Sequence, residues 1–378
     1  MTSLADLLHP GSRVAVADGL GAPRSVSAEL SAAAVEVELV LGWLPTPDEE
    51  LDLTSYRSVI GLMGGWGLRT AIRSGQVRGV PARWSSVPAL LHGPLRPDLL
   101  VASVVPALDG GLTFGAEVSW MAAAVAAGAR VAGVLRPKAP RAYSGPSLPR
   151  DRVTVIGQHD APVPALAFTA PEDVHHAVAE QVARLVPAGA RIQVGPGALG
   201  SAILAAVTVP VQVDSGLLVD GILDLERRGL LVGTPVGTYL AGGEELLEWA
   251  DGRGLLHPVE YTHDPTRLST GTPFVAINTA LEIDPQGNVS IEGRPEAPVA
   301  SPGGHPDYAA AGARSVGGLS IIALPSEHRG VPALVERLAG QVTTPGHDVD
   351  VVVTERGVAD LRGRDRPARS RALRELWA

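Results

Sequence analysis

The chain of 378 residues contains no cysteine, which excludes disulfides, thiolate nucleophiles and cysteine-ligated metals. Lysine occurs once, at Lys138, so 30 of the 31 basic residues are arginine. A ratio that extreme reflects genome composition more readily than function, and it carries no mechanism. Basic charge is also in deficit, with 40 acidic residues and a net charge of −9; without a basic face, nucleic-acid binding is not expected. Aromatic residues make up 4%, so few side chains are available to stack on a base. No apolar run reaches about 18 residues without glycine, proline or charge, and no membrane span is expected. The start, MTSLADLLHPGSR, lacks the basic and apolar regions of a signal peptide. A cytoplasmic location follows as the expectation.

What is present is a globular balance, 45% hydrophobic and 19% charged, in a chain long enough for two domains. Short β-rich runs begin at Arg13, Val35, Leu99, Arg130, Arg191, Val209, Leu319 and Val349. Helical runs such as Ser119–Gly128 and Glu172–Leu185 separate them. Near-continuous apolar strands alternating with helices indicate sheets covered on both faces, an α/β class. One echo says more. Gly11–Gly21, GSRVAVADGLG, is matched by Gly189–Gly200, GARIQVGPGALG, with starts 178 residues apart. A tandem pair of related α/β domains follows, expected as 1–168 and 169–378, with the join in the proline-bearing stretch Asp160–Pro171.

Several stretches could carry chemistry. Gly195, Gly197 and Gly200 spell G-x-G-x-x-G between a strand and a helix, and Asp214 ends the next strand. That approaches the dinucleotide-binding fingerprint, although Pro196 removes an amide from the turn. A nicotinamide-dependent oxidoreductase, a purely structural turn and a loop serving another ligand all remain open. HPVEYTH at His257–His263 spaces His, Glu and His evenly, but Pro258 argues against a metal-binding helix and for a loop. Ser326-Glu327-His328 are adjacent and no G-x-S-x-G elbow is present, so they are not read as a triad. His175 and His176, with Glu172, Asp173 and Glu180, read as a solvated helix face. SPGGHPDY at Ser301–Tyr308 could offer bare amides to an oxyanion, or be a plain turn.

Taken together, seven stretches resemble the acetyl-CoA hydrolase/transferase family of CoA-transferases. They are VPARWSSVPALL (Val80–Leu91), PRAYSG (Pro140–Gly145), VGPGALGSAIL from Val194, HPVEYTHDP (His257–Pro265), INTALEID with GNV (Ile277–Val289), SVGGLSIIALPS (Ser315–Ser326) and VTTPGHDVDVVVTERGVADLRG (Val342–Gly363). The resemblance spans nearly the whole chain in order. It implies two tandem CoA-transferase-type α/β domains with the active site between them, acyl-CoA and a small carboxylic acid as partners, and no permanently bound cofactor or metal. It also implies a mechanism in which a glutamate attacks the thioester and passes through an acyl anhydride and a glutamyl-CoA thioester. A homo-oligomer and a partner subunit both stay open.

The family carries its glutamate in H-[ST]-E-x-x-x-D-G, and the matching stretch here is Asp214–Gly221, DSGLLVDG. Gly216 stands at the nucleophile position and has no side chain to attack with. The family's G-G-Q-x-D-F becomes Gly303-Gly304-His305-Pro306-Asp307-Tyr308, which adds an imidazole. Asp214 and His305 are therefore the candidate bases or substitute nucleophiles, and Gly195, Gly197, Gly303 and Gly304 the candidate oxyanion and CoA loops. Tyr261, Asn278, Glu282 and Asp307 are candidate substrate contacts, and Arg141, Arg329 and Arg356 candidate phosphate contacts, from their places in family-like stretches. Glu260, Glu292 and Glu355 lie in such stretches without matching the nucleophile position. The expected function is action on acyl-CoA without the glutamyl-CoA intermediate; a catalytically silent CoA-binding homologue is the alternative.

Overall fold

Runs of Val, Leu and Ile too apolar to face water must be covered on both sides, and the chain meets that demand twice. The computed structural model describes residues 2–294 and 296–378. They group into two compact units, Met1–Leu166 with Gly237–Glu260 and Pro298–Ser301, and Ala167–Val236 with Tyr261–Ala297 and Pro302–Ala378. The first crossing, Leu166/Ala167, lies beside the expected 168/169 limit, but the segments 237–260 and 298–301 group with unit 1, so both units are discontinuous in sequence.

Unit 1 holds β1 (Arg13–Val16), β2 (Glu38–Leu41), β3 (Ser58–Gly61), β4 (Arg78–Gly79), β5 (Leu99–Pro106), β6 (Leu112–Thr113), β7 (Arg130–Leu135) and β8 (Val153–Gln158). Their order is β4-β3-β2-β1-β5-β7-β8, all parallel, with β6 antiparallel to β5. Unit 2 holds β9 (Arg191–Val194), β10 (Gln212–Val213), β11 (Phe274–Asn278), β12 (Leu319–Ala323), β13 (Val351–Thr354) and β14 (Gly357–Asp360). They run β10-β9-β11-β12-β13-β14, parallel except for the last pair. All of β2, β11, β12 and β13 is buried, and each fully buried Val, Leu or Ile contributes roughly 1.5–3 kcal/mol.

The sequence echo is a structural repeat, residue for residue. β1 at 13–16 and β9 at 191–194 have the same offset as Gly11 and Gly189. Gly11 and Gly189 have φ of 85° and 80°, and Gly19 and Gly197 have φ of 87° and 109°, the left-handed region that glycine adopts without a Cβ clash. The next strand docks the same way in both units, Glu38 N donating to Ser12 O at 3.0 Å and Gln212 N to Ala190 O at 2.9 Å.

β3, β8, β11 and β14, and the two-residue β4 and β6, lie outside the strands expected from the sequence. β3, SVIG, is short and framed by small residues. β8 and β14 sit at sheet ends and are only partly buried, so neither carries a continuous apolar run. β11 is buried throughout but has five residues, a length at which apolar pattern does not separate strand from helix. HPVEYTH, expected as a loop, contains one helical turn, Val259–Thr262, which begins just after Pro258, where a missing amide breaks no helical bond. Among the described residues no helix is long and apolar enough to cross a membrane.

The three glycines after β9 divide into two kinds. A Cβ at Gly200 would lie 1.9 Å from Gly195 O, whereas one at Gly195 or Gly197 would meet nothing within 4 Å. Gly200 thus lets the helix Ala198–Ala206 close onto the end of β9, and the other two have open space on the side where a Cβ would stand. Gly200→Ala is expected to lower stability by about 2 kcal/mol through overpacking, seen as an earlier denaturation midpoint, while Gly195→Ala leaves the midpoint unchanged.

Candidate active site

In a parallel sheet the crevice for a ligand opens where the strand order reverses. Both units reverse at their first strand: β1 lies between β2 and β5, and β9 between β10 and β11. The glycine turns that follow β1 and β9 therefore sit at the two switch points.

In unit 2 the chain runs on from β10 into Asp214, Ser215 and Gly216 beside β9. Asp214 N donates to Ile192 O at 2.9 Å, and Ser215 Oγ to Val194 O at 3.1 Å. The carboxylate of Asp214 is buried and doubly held: Arg267 donates Nη1 and Nη2 to its two oxygens at 2.8 and 2.7 Å, and Arg191 Nη1 approaches at 3.5 Å. Arg191 is itself fixed by the carbonyls of Leu268, Thr270 and Thr272. A carboxylate committed to two guanidinium groups is an anchor for the loop; it leaves little capacity for attack on a thioester or for a ribose hydroxyl.

His305, the other nominated base, is likewise spoken for. Its Nε2 lies 2.9 Å from Thr279 O, and since a carbonyl only accepts, Nε2 carries the proton. Nδ1 then accepts from Thr344 Oγ1 at 2.7 Å. Burial pushes its pKa down to about 4, so the ring is neutral with both nitrogens used. It pins the start of the helix His305–Arg314 to the end of β11.

The groups that face Gly216 are two others. A Cβ there would lie 3.4 Å from Tyr308 Oη and 3.6 Å from His263 Nε2, ordinary contacts, so glycine is not required by space. Its φ lies outside the left-handed range that demands glycine. Tyr308 Oη is buried and finds no hydrogen-bond partner among the described residues. Burial, and next the charge of Asp214, hold its pKa well above the usual phenol range. His263 is also buried; Nδ1 meets Thr262 Oγ1 at 2.9 Å, and burial, then the Arg267 guanidinium, push its pKa down to about 3. The two rings pack at 4.7 Å between centroids. Gly304 is what makes room, for a Cβ there would come within 2.5 Å of His263 Nε2. Tyr308 closes the family-like GGHPDY and His263 closes HPVEYTH, so both motifs were visible; that the two rings would meet at position 216 was not.

The remaining nominated residues separate. Asn278 ends β11 and its Nδ2 donates to His305 O at 3.4 Å. Asp307, fully buried, lies in the first turn of the same helix, and Gly303, at φ 56°, leads into it. Tyr261 is 42% exposed beneath the guanidinium of Arg267, 4.1 Å from ring centre to Cζ. Glu282 accepts from Ala339 N at 2.8 Å within a hairpin. Glu355 holds Ser326 through its amide and hydroxyl, and Thr343 donates to Glu292 at 2.8 Å. Arg141 is paired bidentately with Asp251, and Arg356 donates to Trp377 O.

Unit 1 places a second buried cluster at its own switch point, one that sequence reasoning did not single out. Asp18 Oδ2 accepts from Trp43 N, Trp120 Nε1 and Tyr239 Oη at 2.7, 2.8 and 2.8 Å, while Oδ1 finds no partner among the described residues. Glu117 accepts from Gly21 N at 3.0 Å. Burial raises Asp18 to about 6 and Glu117 to about 8, the latter against the opposing field of Arg136. The available signal was Asp18 itself, sitting in the first glycine turn of the echo.

The chain is similar to several known proteins. A family model described as the acetyl-CoA hydrolase/transferase C-terminal domain matches residues 242–376. Succinyl-CoA:cyclohexane-1-carboxylate CoA transferase of Geobacter metallireducens is 29% identical over 323 residues, 81% of this chain and 73% of that one. The 4-hydroxybutyrate coenzyme A transferase of Clostridium kluyveri is 27% identical over 330 residues, 82% and 77% of the two chains. Residues 242–376 thus match that family's C-terminal domain, and over four-fifths of its length the chain is similar to CoA-transferases, 81% and 82% in these two comparisons. The crystal structure of RipA from Yersinia pestis shares the fold, with a TM-score of 0.87 at 22% identity over 98% of this chain and 92% of that one. The acetyl-CoA hydrolase/transferase C-terminal match contains both residues that face Gly216, His263 and Tyr308, and also Gly304.

The buried acids of unit 1 make the stability of the fold depend on pH. Their pKa values are raised on folding, so the stability they confer is full below the unfolded values of about 4 and is lost as pH rises through about 6 for Asp18 and about 8 for Glu117. Unfolding near pH 8.5 is expected to need less denaturant than near pH 5, by on the order of 3 kcal/mol. Combining Asp18→Asn with Glu117→Gln should flatten that slope.

Proposed function

We propose that the chain acts on acyl-CoA thioesters and does not form an enzyme-bound glutamyl-CoA thioester. The observation that carries this is position 216. The resemblance puts the family's nucleophile there; glycine occupies it, and the groups that an added side chain would meet are a neutral imidazole and a protonated phenol, neither of them a carboxylate. The relatives' names supply the substrate class, a CoA thioester with a carboxylic acid. The open space beside Gly195 and Gly197, where an added Cβ would meet nothing within 4 Å, suits a loop that takes an oxyanion or the CoA chain.

A second reading, a CoA-binding homologue without turnover, is favoured by a specific observation: the hydrogen-bonding capacity of Asp214 and His305 is committed. The nicotinamide reading loses its support, because Asp214 is engaged by Arg267 and Arg191 and Gly200 has a packing role.

Intact-mass measurement after incubation with acetyl-CoA tests the proposal. Wild type is expected to keep its mass. Gly216→Glu, whose Cβ fits without displacement, is expected to gain a CoA thioester through acyl anhydride formation and thiolate attack. A covalent CoA adduct on the wild type would overturn the reading.

A further inference from the structure

The spot that a side chain at 216 would fill is polar on the faces that matter. The nearest atoms are Tyr308 Oη at 3.4 Å and His263 Nε2 at 3.6 Å, both on buried side chains, and Tyr308 Oη has no partner among the described residues. A buried hydroxyl left unsatisfied costs about 1–3 kcal/mol, so this hydroxyl marks a place for an oxygen atom. Beyond the Cα, the side chain that the resemblance expects is a propanoate: two carbons and a carboxylate.

The geometry points to position 216 as a binding site for the carboxylate of a short acceptor acid, so that the substrate supplies the nucleophile that the chain lacks. This rests on the proposed action on acyl-CoA. Tyr308 donates its hydroxyl proton to one carboxylate oxygen. His263 is neutral and its Nδ1 is paired with Thr262 Oγ1 at 2.9 Å; in the tautomer that accepts from that hydroxyl, Nε2 carries the proton and donates as well. Both rings are then donors to an anion, which suits a carboxylate better than a second donor. Directly beside them, two guanidinium groups, Arg191 and Arg267, face the one carboxylate of Asp214.

The chemistry needs no protein nucleophile and no proton. An oxygen of the acceptor carboxylate attacks the thioester carbonyl carbon, the C–S bond breaks, and its electron pair leaves on sulfur as the CoA thiolate. The products are a mixed anhydride and the thiolate. The thiolate then attacks the acceptor's carbonyl carbon, the C–O bond breaks, and the donor acid departs as its carboxylate. CoA has moved from one acid to the other. Both substrates must be present together, so initial-rate plots intersect where a covalent glutamyl-CoA route gives parallel lines.

The experiment measures acyl exchange from acetyl-CoA to formate, propanoate and butanoate, alongside acetyl-CoA binding by equilibrium dialysis. Intersecting lines and exchange that falls off with acid length are expected. Tyr308→Phe should raise the KM for the acid about tenfold, the value of one charge-assisted hydrogen bond, with acetyl-CoA binding unchanged. Gly216→Ala should abolish exchange and the rise in Tm produced by propanoate alone, again with acetyl-CoA still bound. Wild type that binds acetyl-CoA but exchanges with none of the acids overturns the inference and leaves the proposed function standing, as does a Gly216→Ala enzyme as active as wild type. Failure to bind acetyl-CoA overturns both.

Discussion

Each unit makes a left-handed turn after its first strand, at the point where its strand order reverses. At Gly19 and Gly197 the backbone takes a conformation that a side chain resists. That turn decides where the next helix starts and which way the following strand docks. It also leaves each loop's backbone at the carboxyl end of the sheet, the edge from which parallel folds reach a ligand. The two turns then diverge in what they hold. Unit 1 tucks an aspartate, Asp18, under the amide of Trp43, while unit 2 has Pro196 at the equivalent place and open space beside Gly195 and Gly197.

The central strands were legible because burial on both faces writes a continuous apolar run. β8 and β14 were not, since a sheet end needs no such run, and β11 was hidden by its brevity. The repeat was legible to the residue, because glycine at a left-handed position cannot be replaced cheaply. The site was readable only in part. Sequence spacing located Asp214, Gly216, His305 and the glycines, but it says nothing of which hydrogen bonds a side chain has already made. Asp214 looked like a free carboxylate until Arg267, 53 positions later, was seen to hold it. His263 and Tyr308 belong to separate motifs, and only the packing of one ring on the other brings both to position 216.

The candidate site is thus built from groups whose charge or protons are already assigned. Buried ions are paired, as in Asp214 with Arg267, and buried rings are neutral, as in His263, His305 and Tyr308. Such a site is preorganised to position and to donate hydrogen bonds. It is poorly equipped to take up a proton near neutral pH, and chemistry that moves a carboxylate and a thiolate asks for none.

The ordinary contacts around a Cβ at Gly216 have an evolutionary reading. A first side-chain carbon there meets only ordinary contacts and does not force the backbone, so space at the Cβ does not impose glycine. Glycine and glutamate codons can differ by a single base, so one mutation suffices for the exchange. The letter at this one position can therefore change what the site does without a clash at its first side-chain carbon.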